Sequence, residues 1–199
     1  VSFFGPDVSA SSSRGILMIQ SNDSLAADVG GSIALGARYQ GDTGGASLVQ
    51  LAGRKLNSSS GNLSAYFQIN VRDNTSGMRE VGRVDNSGYL GLGITTPLAW
   101  LHPKGTRGGP VYSGTTPTSI IRIDNASNNV VMDMGISTTA AVGWIQSYDK
   151  AGMNTTYGTV INPNGGSVSI GTTTTNSVFN VVSGTETLFH VGAYSSWTP

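Results

Sequence analysis

The 199-residue chain contains no cysteine, which excludes disulfide scaffolds, thiolate metal sites and cysteine nucleophiles together. Charge is scarce as well. Only 11% of residues are charged, and 11 Lys and Arg balance 11 Asp and Glu. A nucleic-acid binder that neutralises phosphates needs a basic excess or patch, and this sequence has neither. It also lacks a polybasic membrane-surface segment, and no apolar run approaches the roughly 18 residues of a spanning helix. No nucleic-acid partner and no membrane insertion are therefore expected.

What is abundant is Gly, at 28, together with 46 Ser and Thr. Such a chain is rich in turns and poor in long-chain helix formers. It still carries 38% hydrophobic residues, enough for a core. Their period is two. From Leu63 to Arg72 every odd position is apolar, and every even one is polar or, at Tyr66, polar-tipped. In a strand this gives one buried face and one wet face. Shorter runs of the same kind predict strands near 15–20, 31–38, 46–53, 78–84, 88–93 and 98–102. In the second half they fall near 119–124, 129–135, 141–147, 157–162, 167–171, 177–182 and 186–192. Only residues 24–28 suit a helical turn. The class expected is all-β, built from small antiparallel modules of sandwich or prism type.

The sequence repeats. Gly88, Leu90, Leu92, Gly93, Thr95 and Thr96 align without a gap on Gly166, Val168, Ile170, Gly171, Thr173 and Thr174, 78 positions on. The stretch beginning at Ile16 also resembles that beginning at Ile120. This divides the chain into an N-terminal arm (1–13), a first β module (14–104), a linker (105–116), a second β module (117–183) and a C-terminal strand or start of a further segment (184–199). In the shared motif a short apolar strand ends at a glycine, Gly93 or Gly171, and Thr95, Thr96 and Pro97 follow in the first copy. Pro97 has no donor for further ladder bonding, and a second apolar strand then leaves. The motif reads as a structural corner: Gly88, Gly93, Thr95, Thr96, Pro97, Gly166, Gly171 and Thr173.

Residues 78–97, followed by Leu101 and His102, resemble a repeat of phage tail-fibre-like proteins. In that repeat a strand runs into Gly-Asn-Val-Gly-Ile-Gly-Thr-Thr-Ser-Pro and then Leu-His-Val. Residues 30–38 are similar to the family's opening strand, and residues 162–173 carry the pattern again. Three positions depart from it: Ile94 alters the pattern around the second motif glycine, Pro103 follows His102 in place of Val, and Thr175 stands where Pro is usual. The resemblance implies an elongated, intertwined homotrimeric β-rich appendage of a virion. It would act beside other virion tail proteins in attachment to the host surface, and would be neither an enzyme nor dependent on a cofactor.

Other chemistry is weighed against that background. A polysaccharide-degrading tailspike needs two carboxylates about 5–9 Å apart. Asp124 and Asp133, with Asp149 nearby, are the candidates, although Asp beside Asn, as at Asp124, is an ordinary turn-former. His102 and His190 follow apolar strands and make no metal site without converging carboxylates. Host glycan contacts are expected at Trp100, Tyr148 and Tyr157. Trp197 is a further aromatic, and Trp144, in an apolar context, reads as core. A third reading is a subunit of an extracellular filament joined by strand donation from residues 1–14.

Overall fold

A computed structural model describes residues 17–41, 44–105, 108–161, 163–164, 168–170 and 179–181. The arm at 1–13, the segment 184–199, and Gly166, Gly171, Thr173, His190 and Trp197 lie outside the described residues, as does the strand expected near 186–192. Among the described residues the protein is all-β, with no helix.

Strands β1 (Ser32–Gln40), β2 (Gly44–Lys55), β3 (Ala65–Asp73), β4 (Gly77–Val84), β5 (Leu90–Leu92) and β6 (Leu101–Pro103) form one six-stranded sheet in chain order. Strands β7 (Ile121–Asp124), β8 (Val130–Ile136), β9 (Gly143–Asp149) and β10 (Thr156–Tyr157) form a second, ordered β10-β9-β8-β7. Strands β11 (Val168–Ile170) and β12 (Phe179–Val181) form a two-stranded sheet. Punctuation sits where the turn residues predict it. Asp73 accepts hydrogen bonds from the backbone N–H of Thr75 and Ser76, and Asp85 from those of Ser87 and Tyr89. Residues 17–20 and 24–28 form neither the strand nor the helical turn expected of them. The likeness of the stretch at Ile16 to that at Ile120 therefore does not carry into structure, since only the later one supplies a strand, β7.

The structure also corrects the antiparallel expectation. The first four strands are an antiparallel meander, but β5 runs parallel to β6, with Leu90 opposite Leu101. Strand β11 likewise runs parallel to β12, with Val168 opposite Phe179. The chain between β5 and β6 turns twice, so the outgoing strand resumes the incoming direction. Gly93 (φ +72°) permits the first turn, and a Cβ there would lie 2.5 Å from the carbonyl oxygen of Lys104. The same offset of 78 carries β5 onto β11 and β6 onto β12, and lays β3 over β9 and β4 over β10. The sequence repeat is thus a repeat of strands.

By contacts the chain divides into two compact units. Residues 110–117, 122–133 and those from 145 onward group as the second, and the rest as the first. The second has a small core of Val131, Tyr148 and Met153, with Val111 packed on it. Each such side chain contributes roughly 1.5–3 kcal/mol by leaving water. In the first, Ala52, Tyr66 and Pro97 are buried among the described residues.

Candidate functional site

Cross-strand register sorts the first sheet into two faces, because directly paired residues point the same way. One face carries the row Ile33, Leu51, Ile69, Gly82, Leu92 and Pro103 across all six strands. Beside it lies the row Phe67, Val84, Leu90 and Leu101. The other face carries Ser32, Ala52, Gln68, Arg83, Gly91 and His102, with Gln50, Asn70, Glu80, Arg54 and Tyr66 alongside.

The alternation from Leu63 to Arg72 predicts that the apolar face is the buried one. In the single chain the order is reversed. Ile33, Leu35, Leu51, Phe67, Leu92 and Leu101 are between 37% and 57% exposed, whereas Tyr66 and Asn70 are buried. The physical reason is lateral cover. Long polar side chains lie down across their own face and shield one another with their stems. The Arg83 guanidinium sits 3.9 Å from the centre of the Tyr66 ring. It also forks onto Glu80, Nε to Oε1 at 2.5 Å and Nη2 to Oε2 at 2.8 Å. Gln68 Nε2 donates to Glu80 at 2.6 Å, Arg54 Nε donates to Gln68 at 3.3 Å, and the Tyr66 hydroxyl donates to Asp28 at 2.6 Å. Asn70 donates to Gln50, and Gln50 to Ser32, each at 3.1 Å. Burial and the bond to Asp28 push the Tyr66 phenol up to about 12. Burial opposes the charged form of Glu80, but the bonds from Arg83 and Gln68 outweigh it and its pKa falls. Two carboxylates and two guanidiniums cancel, so this face is a neutral, hydrogen-bonded sheet of planar groups. Sequence reading missed this network. Its signal was the even-numbered polar set of β3 together with Glu80 and Arg83, legible only once strand register is known.

The corner residues divide by role. Pro97 and Gly91 are buried, and a Cβ on Gly91 would meet Pro97 at 3.4 Å and the carbonyl oxygen of Ile94 at 2.6 Å. Thr95 and Thr96 are exposed. Gly88 (φ +82°) closes the turn that Asp85 caps, and its N–H donates to the Asp85 carbonyl at 3.0 Å. His102 Nδ1 accepts the Leu98 N–H at 3.1 Å, which ties the corner shut.

Of the aromatics expected to touch glycan, Trp100 is 76% exposed and meets Tyr89 edge-on at 5.4 Å. Tyr157 is part-exposed on β10. Tyr148 is a correction: it is wholly buried in the core of the second unit, so it offers a ligand no surface. Trp144 lies over Gly135, and its Nε1 donates to the Gly108 carbonyl at 3.2 Å.

The carboxylates weighed for hydrolysis are engaged elsewhere. Asp133 is fully buried and takes Arg122 Nε at 2.9 Å and Nη2 at 2.8 Å, and the Tyr148 hydroxyl donates to it as well. Arg122 Nη2 also donates to the Tyr148 hydroxyl at 2.8 Å. The bonds to Asp133 raise the Arg122 pKa further, and burial raises that of Tyr148. Asp124 pairs with Lys150 at 2.9 Å, and Asp149 accepts the Ala151 N–H at 2.9 Å and an Asn129 amide. Arg122, Asp133 and Tyr148 thereby join β7, β8 and β9 through their side chains. Among the described residues no group of three His, Asp or Glu converges as a metal site.

Among the described residues the apolar face of the first sheet keeps Ile33, Leu35, Leu51, Phe67, Leu92 and Leu101 more than a third exposed. A row of large apolar side chains left half-exposed on one sheet face is the mark of an interaction surface. No protein-family model matches this chain, and no curated protein matches it.

Proposed function

We propose that this chain is a structural and adhesive module of a virion tail fibre or spike, three copies of which associate through the apolar face of the first sheet in a prism-like arrangement. The observation that carries this reading is the row Ile33, Leu51, Ile69 and Leu92, flanked by Phe67 and Leu101: among the described residues all but the half-buried Ile69 stay more than a third exposed, even with Leu17 and Ile19 beside the row. Apolar surface on that scale gains most by meeting its like. Copies of the chain supply it with no charge to neutralise, because the formal net charge is zero. The repeated corner further supports a fibre reading, since a unit used twice at a spacing of 78 residues suits end-to-end extension. Other virion tail proteins would anchor the assembly, and host-surface glycan would be gripped by weak contacts made strong through their number. Trp100 and Tyr157 keep exposed rings for that purpose.

The test is native mass and shape, by light scattering with negative-stain imaging. Three-chain rods are the expected result. A monodisperse single chain would overturn the proposal, and an open-ended polymer would assign the protein to a filament instead.

A further inference from the structure

We propose that the forked end of the first sheet binds an acidic saccharide, a sugar bearing a carboxylate, with Tyr39 and Arg72 as the principal contacts. This rests on the adhesive reading above and gives it a location. Pairing between β2 and β3 runs from Lys55 opposite Ala65 to Val49 opposite Val71, and there it stops. Beyond that point the start of β2 is paired only with β1, and Arg72 and Asp73 only with β4. The sheet opens into two hairpins with a cleft of about 860 Å³ between them, lined by Tyr39, Gly45, Ser47, Arg72, Asn74 and Thr75 among others. That is the size of an ordinary small-molecule site.

The aromatic wall is set by a bulge. Arg38 lies opposite Gly45 and Gln40 opposite Gly44, so Tyr39 has no opposite residue, and a bulge re-aims its side chain. The ring rests beside Gly44, where a Cβ would come within 3.3 Å of it, while Gly45 faces open space. Tyr39 stays 67% exposed, an apolar plate with a hydroxyl at its rim. Such a plate suits the C–H face of a sugar ring.

The charge comes from Arg72. Its Nε donates to the Ser47 carbonyl at 2.7 Å, which pins the guanidinium across the fork. Its Nη groups have no acceptor among the described residues, so that edge is free to take a carboxylate in two parallel bonds. Asp73 does not compete. It accepts the N–H groups of Thr75 and Ser76 and the Ser76 hydroxyl, and faces Arg79 at 3.2 Å. The amide of Asn74 and the hydroxyl of Thr75 stand at the rim for ring hydroxyls. An inserted β-strand suits the cleft less well, because Arg72 crosses it and the open stretch of β3 is only Arg72 and Asp73.

The experiment is calorimetric titration of the intact chain with a uronic-acid tetrasaccharide and with its neutral hexose counterpart. The acidic sugar should bind at least about tenfold tighter, as a charge-assisted bidentate contact implies. Arg72→Gln and Tyr39→Ala should each weaken it about tenfold or more, while Arg72→Lys loses less and Leu63→Ser, outside the cleft, leaves it unchanged. The native mass of every variant is measured alongside, so that loss of binding is separated from loss of assembly. Equal affinity for the two sugars, no binding of either, or unaltered binding by both Arg72→Gln and Tyr39→Ala would overturn the proposal. A monomeric wild-type chain that still binds the acidic sugar at the fork would sink the fibre reading and leave this one standing.

Discussion

Leu90 lies opposite Leu101 in a parallel pair, 11 positions on in the chain. Val168 and Phe179 repeat that separation and that direction. Parallel neighbours ordinarily need a crossover of a dozen or more residues. Here eight, residues 93–100, are enough, because the strands are only three residues long and the corner folds tightly on itself. Gly91 and Pro97 are buried against each other at its centre, and His102 fastens its outer arm. The motif's composition follows from that crowding.

Gly93→Ala places a side chain at φ +72° and 2.5 Å from the Lys104 carbonyl oxygen. It should cost about 1–3 kcal/mol and lower the thermal midpoint by several degrees. Gly88→Ala, strained in φ but with its nearest neighbour 3.6 Å away, should cost about 1 kcal/mol. Equal melting temperatures for the two variants would remove the close contact as the cause.

Leu51→Glu puts a carboxylate into the middle of the apolar row and should reduce the native mass to that of one chain. Leu63→Ser, at a side chain 92% exposed and outside those rows, should leave the assembly intact. Light scattering distinguishes the two. An unchanged mass for Leu51→Glu would show that another surface joins the copies.

Arg122→Gln strands Asp133 as a buried carboxylate without its fork of donors. Breaking one side of such a pair costs about 3–5 kcal/mol, visible as a lower urea midpoint. Pairing Arg122→Met with Asp133→Leu should recover most of that loss, since both charges leave together. If the double variant is no better than the single, the bridge is not what the region depends on.

Tyr66 gives a pH signature. Its folded pKa, about 12, lies above its ordinary 10, so the neutral form is favoured by folding. That contribution is complete below pH 10 and is lost as pH rises from 10 through 12. Phenolate absorbance should show a late-titrating group that Tyr66→Phe removes. A wild-type curve matched by the variant would contradict the assigned environment.

The strands were largely legible from residue order. The alternation from Leu63 to Arg72 became β3, and the glycine and Asx punctuation became turns, because period and turn chemistry act within a few residues. Residues 17–20 are as apolar as many strands and yet are none. Apolar content does not choose a pairing partner. The repeat was legible as well, though not its parallel direction, which depends on how Gly91 and Pro97 pack.

Composition and periodicity by themselves determined an all-β protein with a doubled corner and two-sided strands, since those properties are local to the backbone. Which side is sheltered was decided only in three dimensions. Arg83 must reach across from β4 to cover Tyr66 on β3, and Asp28 must come from a loop 38 positions earlier in the chain. The same holds for Tyr148, which reads as a surface aromatic until Asp133 and Arg122 close around its hydroxyl. Burial is a property of what lies opposite, and register between distant strands sets that.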